Sequence, residues 1–457
     1  MINRQNAVKY AIRMALISIA GFMLTISAFA ADQAEKLTLE DSVRIALEKN
    51  PAVQIARENV VKANASINEA FSAGMPKVSI DGTYQRADKA VNFGDIPVGS
   101  LVNRSANLTV AQPIDVFGVI KTGKQAANFG KASFQYGSDQ QTNDTIFDTK
   151  VAFYNVLRAQ QYLKVQQDTV SQLNAHLEDT KANFAAGTIA KFDVLRAETQ
   201  LANAQQGLIS AQNGVELSKS VFNNVLGRSL DTPVDLVEPK VSEFVNLELQ
   251  TCVDSACRWR PEVLRADSTI GLSDKMVKIA RLSGKPRFNF RWSYNKAFDI
   301  TTFNPNDTSW KAFFLSSLNL YDGGATRAAV QKAESDARNA KTTREQIVQG
   351  INLDAQQSYL TVKESQERIT AATKGLEQAT EALRLAQVRY KEGMSTQIEV
   401  LDSQTAYTLA DTNYVNALYD YQVALAKLER AVGGQVQMAK LLEDSKRAKT
   451  LTADERR

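Results

Sequence analysis

Apolar side chains recur every seven residues at Ile369, Leu376, Leu383 and Tyr390, with Ala372, Ala379 and Ala386 three positions after the first three. Large and small residues alternating at such a and d positions predict a helix packed by knobs into holes. A strict period of seven predicts a left-handed supercoil. The seam stops at Tyr390-Lys391-Glu392-Gly393-Met394-Ser395 and resumes at Val400, Tyr407, Tyr414, Tyr421 and Leu428. Two seams joined by a short glycine turn predict an antiparallel helical hairpin. The device also occurs earlier, at Leu163, Val170, Leu177 and Phe184, then Gly187, then Val194, Leu201, Leu208, Val215 and Phe222. Each of these lies 206 residues before its counterpart, so the chain contains the hairpin twice.

The prolines sharpen the boundaries. None occurs between Pro113 and Pro233 or after Pro305, which leaves two clear runs for long helices. The long helices are expected over Ile120 to Ala186 and Thr326 to Glu392, each roughly 100 Å at 1.5 Å per residue. The returning helices, Ala190 to Leu226 and Ser395 to Val432, are about half that length. Pro51 to Ala73 and Pro261 to Ser283 are helical in pattern and available to cover the remainder.

Both of these shorter helices run into a period-2 segment. Lys77 to Arg86 sets Val78, Ile80 and Tyr84 against Lys77, Ser79, Asp81, Thr83 and Gln85. Arg287 to Lys296 sets Phe288, Phe290, Trp292 and Tyr294 against Arg287, Asn289, Arg291, Ser293 and Asn295. Arg104 to Gln112 and Trp310 to Leu320 alternate likewise, the latter through Trp310, Ala312, Phe314 and Leu318. Such alternation predicts strands with one apolar and one polar face. A small sheet packed on helices in water is one reading. The other is an outer-membrane barrel, whose strands are apolar toward lipid and polar toward the lumen. Four strands cannot close a barrel, and lipid does not tolerate open edges, so the second reading requires other chains. Three copies would supply twelve strands.

Residues 1–30 read as a secretory signal peptide, with Arg4, Lys9 and Arg13 before an apolar stretch from Met14 to Ile26 and Ala28-Phe29-Ala30 at the cleavage site. That stretch is shorter than the ~20 residues a membrane span needs. Removing the three basic residues of the leader lowers the formal charge from +4 to +1, which gives nucleic acid no footprint. Cys252 and Cys257 could be oxidised in an exported protein; if Leu249 to Trp259 is helical, their i,i+5 spacing is too wide to bridge, and the sequence leaves both states open. The single histidine, His176, offers little for a metal site and is expected on a solvated face. No nucleophile elbow, phosphate loop, dinucleotide fingerprint or metal-ligand spacing is found, so neither an enzyme nor a cofactor is indicated.

The halves align elsewhere too: Pro51, Gly74, Pro76 and Tyr84 lie 210 residues before Pro261, Gly284, Pro286 and Tyr294. With Leu37-Thr38-Leu39-Glu40-Asp41-Ser42, Asn50-Pro51, Gly74-Met75-Pro76, Leu320-Tyr321-Asp322-Gly323-Gly324, Tyr390, Gly393 and Glu399-Val400-Leu401-Asp402, the chain resembles the TolC-type outer-membrane efflux proteins. The resemblance covers Leu37 to Gly433. It implies an α+β membrane protein: a homotrimer with a long antiparallel coiled-coil helical tunnel and a twelve-stranded β-barrel, four strands per chain. The expected divisions are the signal peptide 1–30, a first repeat 31–232, a second repeat 233–433 and a charged, poorly ordered tail 434–457.

The same resemblance implies an outer-membrane location in a Gram-negative bacterium, with a large periplasmic portion. It implies contact with outer-membrane lipid, a periplasmic adaptor and an inner-membrane pump of the RND, ABC or MFS type. Glu399 and Asp402 match the acidic ring of the family's pore constriction, and Tyr390 and Asp193 match residues associated with its gate. Ser395 stands where relatives carry a basic residue, so the closing link is expected to differ here. Gly187, Thr188, Gly393 and Met394 match the tips that dock the adaptor. The implied function is the exit duct of a tripartite exporter passing small molecules. The alternatives are the outer-membrane component of type I protein secretion and, in another class, a periplasmic structural coiled-coil protein.

Overall fold

The computed structural model describes residues 36–89, 92–93, 96–97, 101–239, 244–299 and 306–454. The expected signal peptide lies outside the described residues. Helices α1 (Leu39–Lys49), α2 (Pro51–Ser72), α3 (Val119–Ala185) and α4 (Lys191–Leu226) are followed by α5 (Leu249–Trp259), α6 (Pro261–Leu282), α7 (Ala325–Lys391) and α8 (Gln397–Ala431). The helix lengths are 11, 22, 67 and 36 residues in the first series and 11, 22, 67 and 35 in the second. The repeat read from the heptads is therefore a repeat of elements. Strands β2 (Lys77–Arg86), β5 (Val102–Ile114), β7 (Arg287–Ala297) and β8 (Thr308–Ser317) form one sheet. Two-residue strands make small pairs: β1 (Lys36–Leu37) with β6 (Asp235–Leu236), and β3 (Asn92–Phe93) with β4 (Ile96–Pro97).

The chain forms two compact units. The first is drawn from within Met1–Asn50, Asp148–Glu243 and Glu367–Val423. Its main core gathers Phe153, Val156, Leu157, Phe222, Leu226, Val415 and Tyr419 from α3, α4 and α8 with Leu37 and Ala46. Phe153 and Phe222 meet edge to face, with centroids 6.2 Å apart. Nearer the hairpin turns a thinner cluster continues the heptad seam, where Leu173, Leu177, Ala197 and Leu201 close on Leu401. Thr38 caps α1 by accepting from the Asp41 amide at 3.1 Å. The parallel β1–β6 pair joins Leu37 to Leu236 beside this core.

The second unit is drawn from within Pro51–Phe147, Phe244–Gln366 and Ala424–Arg457, and it contains the four-stranded sheet. Helix α6 lies against α7 through the ion pair of Arg281 with Glu334 and that of Arg344 with Asp267. It also crowds α3 at Gly271, where an added Cβ would sit 2.5 Å from the Phe129 ring. Arg260 is buried and bonds both Glu262 and Asp354 at 2.6 Å, which neutralises an otherwise costly charge.

Each returning helix ends at the same kind of junction. In the first unit, Asn50 Nδ2 donates to the Val225 carbonyl at 2.8 Å; in the second, Ser255 Oγ donates to the Val432 carbonyl at 3.0 Å. Cys252 and Cys257 are free. Burial raises the Cys252 thiol to about 11, and Cys257 Sγ donates to Asn352 Oδ1 at 2.8 Å.

One expectation is corrected. The tail expected to be poorly ordered contains a helix, α9 (Gln435–Asp454). Its heptads are weak, but Met438 and Leu441 are buried, Lys440 lies over the Trp259 ring and Ser445 donates to the Asn246 carbonyl at 2.7 Å. Tertiary contacts supply the order that periodicity does not show.

Candidate functional site

In the second unit, every pairing in the sheet is antiparallel, in the order β2-β5-β7-β8. Directly paired residues share a face. Ile80 pairs with Leu108, Leu108 with Tyr294 and Tyr294 with Trp310; Val78 pairs with Val110, Val110 with Trp292 and Trp292 with Ala312. The apolar sets of all four strands thus fall on one face, which a one-residue slip in any pairing would destroy. Among the described residues this face is open: Ile80 is 75% exposed and Trp310 and Phe314 are also exposed. The opposite face carries Lys77, Asp81, Asn107, Arg287, Asn289 and Arg291.

At one end of the apolar face, Arg104 makes a two-pronged contact with Asp299, at 3.1 and 2.9 Å, and Lys296 pairs with Asp307. Each pair removes a bare charge from the face. Among the described residues, the outer edges of β2 and β8 have no partner. No described helix is long and apolar enough to cross a membrane.

In the first unit, the two hairpin turns are built alike. Gly187 (φ +75°) and Gly393 (φ +71°) adopt the left-handed conformation that only glycine enters without strain. Gly187 donates to the Phe184 carbonyl and Thr188 to that of Asn183; Gly393 donates to the Tyr390 carbonyl and Met394 to that of Arg389. Both ends are Schellman motifs, which satisfy the last carbonyls of the helix. Thr188 and Met394 stand exposed just beyond them.

The candidate pore and gate residues lie around these turns. Glu399, in the first turn of α8, faces Arg389 across the turn at 3.6 Å, while Asp402 is exposed one turn further on. The backbone oxygen of Asp193 accepts from Gln397 Nε2 at 3.0 Å, which ties the start of α8 to the start of α4. Tyr390 makes no hydrogen bond to the Asp193 side chain among the described residues. Its ring packs on His176, with centroids 5.4 Å apart, and its hydroxyl is buried without a hydrogen-bond partner among the described residues.

His176, expected on a solvated face, is half-buried in a groove of about 180 Å³ lined by α3, α7 and α8. Burial depresses its pKa below the usual 6.5, against a smaller opposing pull from Asp179. Sequence reasoning missed this contact because its two partners lie 214 positions apart. The facing of Arg389 and Glu399 could have been found, since positions equidistant from a helical turn oppose one another.

A family model described as outer membrane efflux protein matches residues 43–227 and 253–434, which is most of the chain. The chain belongs to this family. The outer membrane efflux proteins are channels of the Gram-negative outer membrane, and that is where this chain resides. Nodulation protein T of Rhizobium leguminosarum bv. trifolii is 22% identical, over 86% of this chain and 85% of its own length. Outer membrane protein TolC of Escherichia coli K12 is 23% identical, over 84% of this chain and 80% of its own. Among solved structures, the Campylobacter jejuni CmeC outer membrane channel superposes with a TM-score of 0.78 at 16% identity, over 87% of this chain and 85% of that one.

Proposed function

We propose that three copies of this chain form the outer-membrane exit duct of a tripartite exporter, with the sheets closed into a twelve-stranded barrel and the hairpins into a tunnel. The observation that carries this reading is the sheet register, which gathers the large apolar side chains of all four strands on one exposed face, with charge only at its end, and leaves two edges unpaired. An unpaired edge in lipid leaves amides and carbonyls without partners, which costs several kcal/mol per group. Copies pairing β2 to β8 remove every edge. The apolar face then meets lipid and the polar face lines the lumen, and strands of 10 to 13 residues suit a tilted crossing of the hydrocarbon layer.

The duct opens and docks at the hairpin turns. Glu399 and Asp402 form the acidic constriction, where three pairs of carboxylates attract cations and repel each other. Tyr390 and Asp193 belong to the gate, and Gly187, Thr188, Gly393 and Met394 meet a periplasmic adaptor that couples to an RND, ABC or MFS pump. The cargo is a small molecule. The chain divides for this purpose into a leader, two repeats with their boundary near residue 232, and a C-terminal helix.

The test is extraction of the membrane fraction in detergent, mass determination and planar-bilayer recording. A trimer with small, cation-selective conductance is expected, and Glu399→Ala with Asp402→Ala should raise conductance and weaken block by divalent cations. Unchanged conductance and block would remove both residues from the constriction. A soluble monomer without conductance would leave a periplasmic coiled-coil protein instead. Deletion of the gene should raise susceptibility to drugs and dyes; unchanged susceptibility with lost export of a protein would reassign the cargo to a polypeptide.

A further inference from the structure

Four buried polar atoms near the hairpin turns have no partner among the described residues: Gln172 Oε1, His176 Nε2, Tyr390 OH and Gln397 Oε1. The side chains of Gln172, His176 and Tyr390 line a single groove of about 180 Å³. Buried polar groups are ordinarily satisfied, so a cluster of orphans calls for an explanation. This one sits where the last turn of α7 rests on α3, three residues before the left-handed Gly393 and nine before Glu399.

We propose that His176 is a proton-operated latch that holds the end of α7, through Tyr390, against α3 when neutral and releases it when protonated. The inference rests on the duct reading, because the hairpin it would release carries the proposed constriction.

A neutral imidazole meets the Tyr390 ring at a tilt of 55° and leaves Nε2 buried without a partner among the described residues. An imidazolium donates from both nitrogens and carries a charge that the groove receives poorly. Of the groups facing it, α7 presents the Tyr390 ring and the Lys391 ammonium, and α8 presents Val400, Leu401 and Gln404, none of them charged. On its own helix, Asp179 is the one carboxylate in the groove and Gln172 the one uncharged acceptor left unsatisfied. A positive charge beside Lys391 is repelled, and it is better hydrated once the Tyr390 turn lifts and the groove opens further to water.

The sign follows from linkage. Burial lowers the affinity of His176 for a proton in the latched state, so protons favour the released state. The latch is intact above pH 6.5 and weakens as pH falls below that value. Among the described residues, the first hairpin has no imidazole–aromatic contact of this kind. The repeat counterpart of His176 is Ala382, and that of Tyr390 is the exposed Phe184.

The chain has one histidine, so with a tag free of histidine the trimer labelled at histidine reports a single imidazole by NMR. Conductance in planar bilayers would be recorded from pH 8 to pH 5 for the parent, His176→Gln, and Glu399→Ala with Asp402→Ala. In the parent, open probability should rise below pH 6.5, by up to about tenfold per pH unit for each chain, in step with the imidazole titration. His176→Gln should abolish the rise and keep divalent block, whereas the acidic double variant should keep the rise and lose the block. A rise that survives in His176→Gln, or an absent rise in the parent, overturns the latch while leaving the duct intact. If His176→Gln fails to assemble, the parent titration still decides: a midpoint at or above 6.5 overturns the proposal. A parent with no conductance at any pH overturns the duct reading itself.

Discussion

Leu195 and Leu401 hold the same place in the two copies of the hairpin, 206 residues apart, yet Leu195 is 51% exposed and Leu401 only 5%. Val194 is half-buried where its counterpart Val400 is fully buried. The cause is the cluster in which Leu401 closes on Leu173 and Leu177 of α3 and on Ala197 and Leu201 of α4. The start of α8 packs on the first hairpin, while the equivalent face of α4 is left open. Charge divides the same way: the counterparts of Asp193 and Arg196 are Glu399 and Asp402, so a balanced pair in the first copy becomes two carboxylates in the second. Duplication supplied two similar hairpins, and substitution at matched positions left the first with a balanced charge pair and an open leucine, the second with two carboxylates and a buried one.

The sharpest way to break this comparison is to truncate both leucines. Leu401→Ala should destabilise the assembled protein by about 2–5 kcal/mol, the range for emptying a well-packed apolar site. Leu195→Ala should cost less than about 0.5 kcal/mol, as for surface substitutions generally. Thermal midpoints in detergent would measure both. Equal losses would mean that the face of α4 is covered in the assembly as fully as that of α8, and the asymmetry would be confined to the isolated chain.

The turns come next in size. An added Cβ at Gly187 or Gly393 would meet nothing within 4 Å, so the strain of Gly187→Val or Gly393→Val comes from the backbone alone. Forcing a residue with a side chain into the left-handed region costs about 1–2 kcal/mol, somewhat more for a β-branched one. The two variants should lose similar stability and retain the trimer, but Gly393→Val should impair export more, because its hairpin carries Tyr390, Glu399 and Asp402. Equal loss of export would point to docking at both tips rather than to a special role for the second. Loss of the trimer would make the turn structural.

Much of this architecture was legible in the sequence because it is periodic. The strand expected over Lys77 to Arg86 is β2 to the residue, and the long helices begin and end within one residue of their expected bounds. The even-numbered apolar positions of four separate segments proved to share one face, since a period of two admits only two choices and lipid would permit one. Elements without a period were invisible. The β1–β6 pair is two residues long and rests on Leu37 and Leu236, and α9 owes its order to contacts with residues near 246 and 259.

The candidate site was legible only in part. The resemblance alone pointed to Glu399 and Asp402, and the packing of Tyr390 on His176 joins positions on different copies of the repeat, which no local pattern encodes. The heptad seam also concealed polar layers. Thr169 meets Thr408 at 3.1 Å between α3 and α8, and Gln166 and Gln404 are buried nearby. Such layers give up some burial free energy in exchange for defined pairing, a trade that a count of apolar positions does not reveal.

The smallest expected effect concerns Arg389, whose guanidinium stands 3.6 Å from Glu399, both groups about half exposed. In the first copy its counterpart is Asn183, opposite Asp193, so this ion pair exists only in the second hairpin. An exposed pair of this kind contributes about 0.2–1 kcal/mol to stability, and Arg389→Gln should barely move the thermal midpoint. Its electrical consequence is easier to read. Without Arg389, the Glu399 carboxylate is uncompensated at the proposed constriction, and divalent block should strengthen. A unit charge ~4 Å away in water is worth about 1 kcal/mol, which limits the gain to roughly fivefold per chain. Near 1 M salt the Debye length falls to about 3 Å and the gain should vanish. Bilayer recordings at low and high salt would test both statements. If Arg389→Gln weakened the block instead, the arginine would be orienting Glu399 toward the passage rather than masking it, and the second hairpin would owe its charge pattern to geometry as well as to composition.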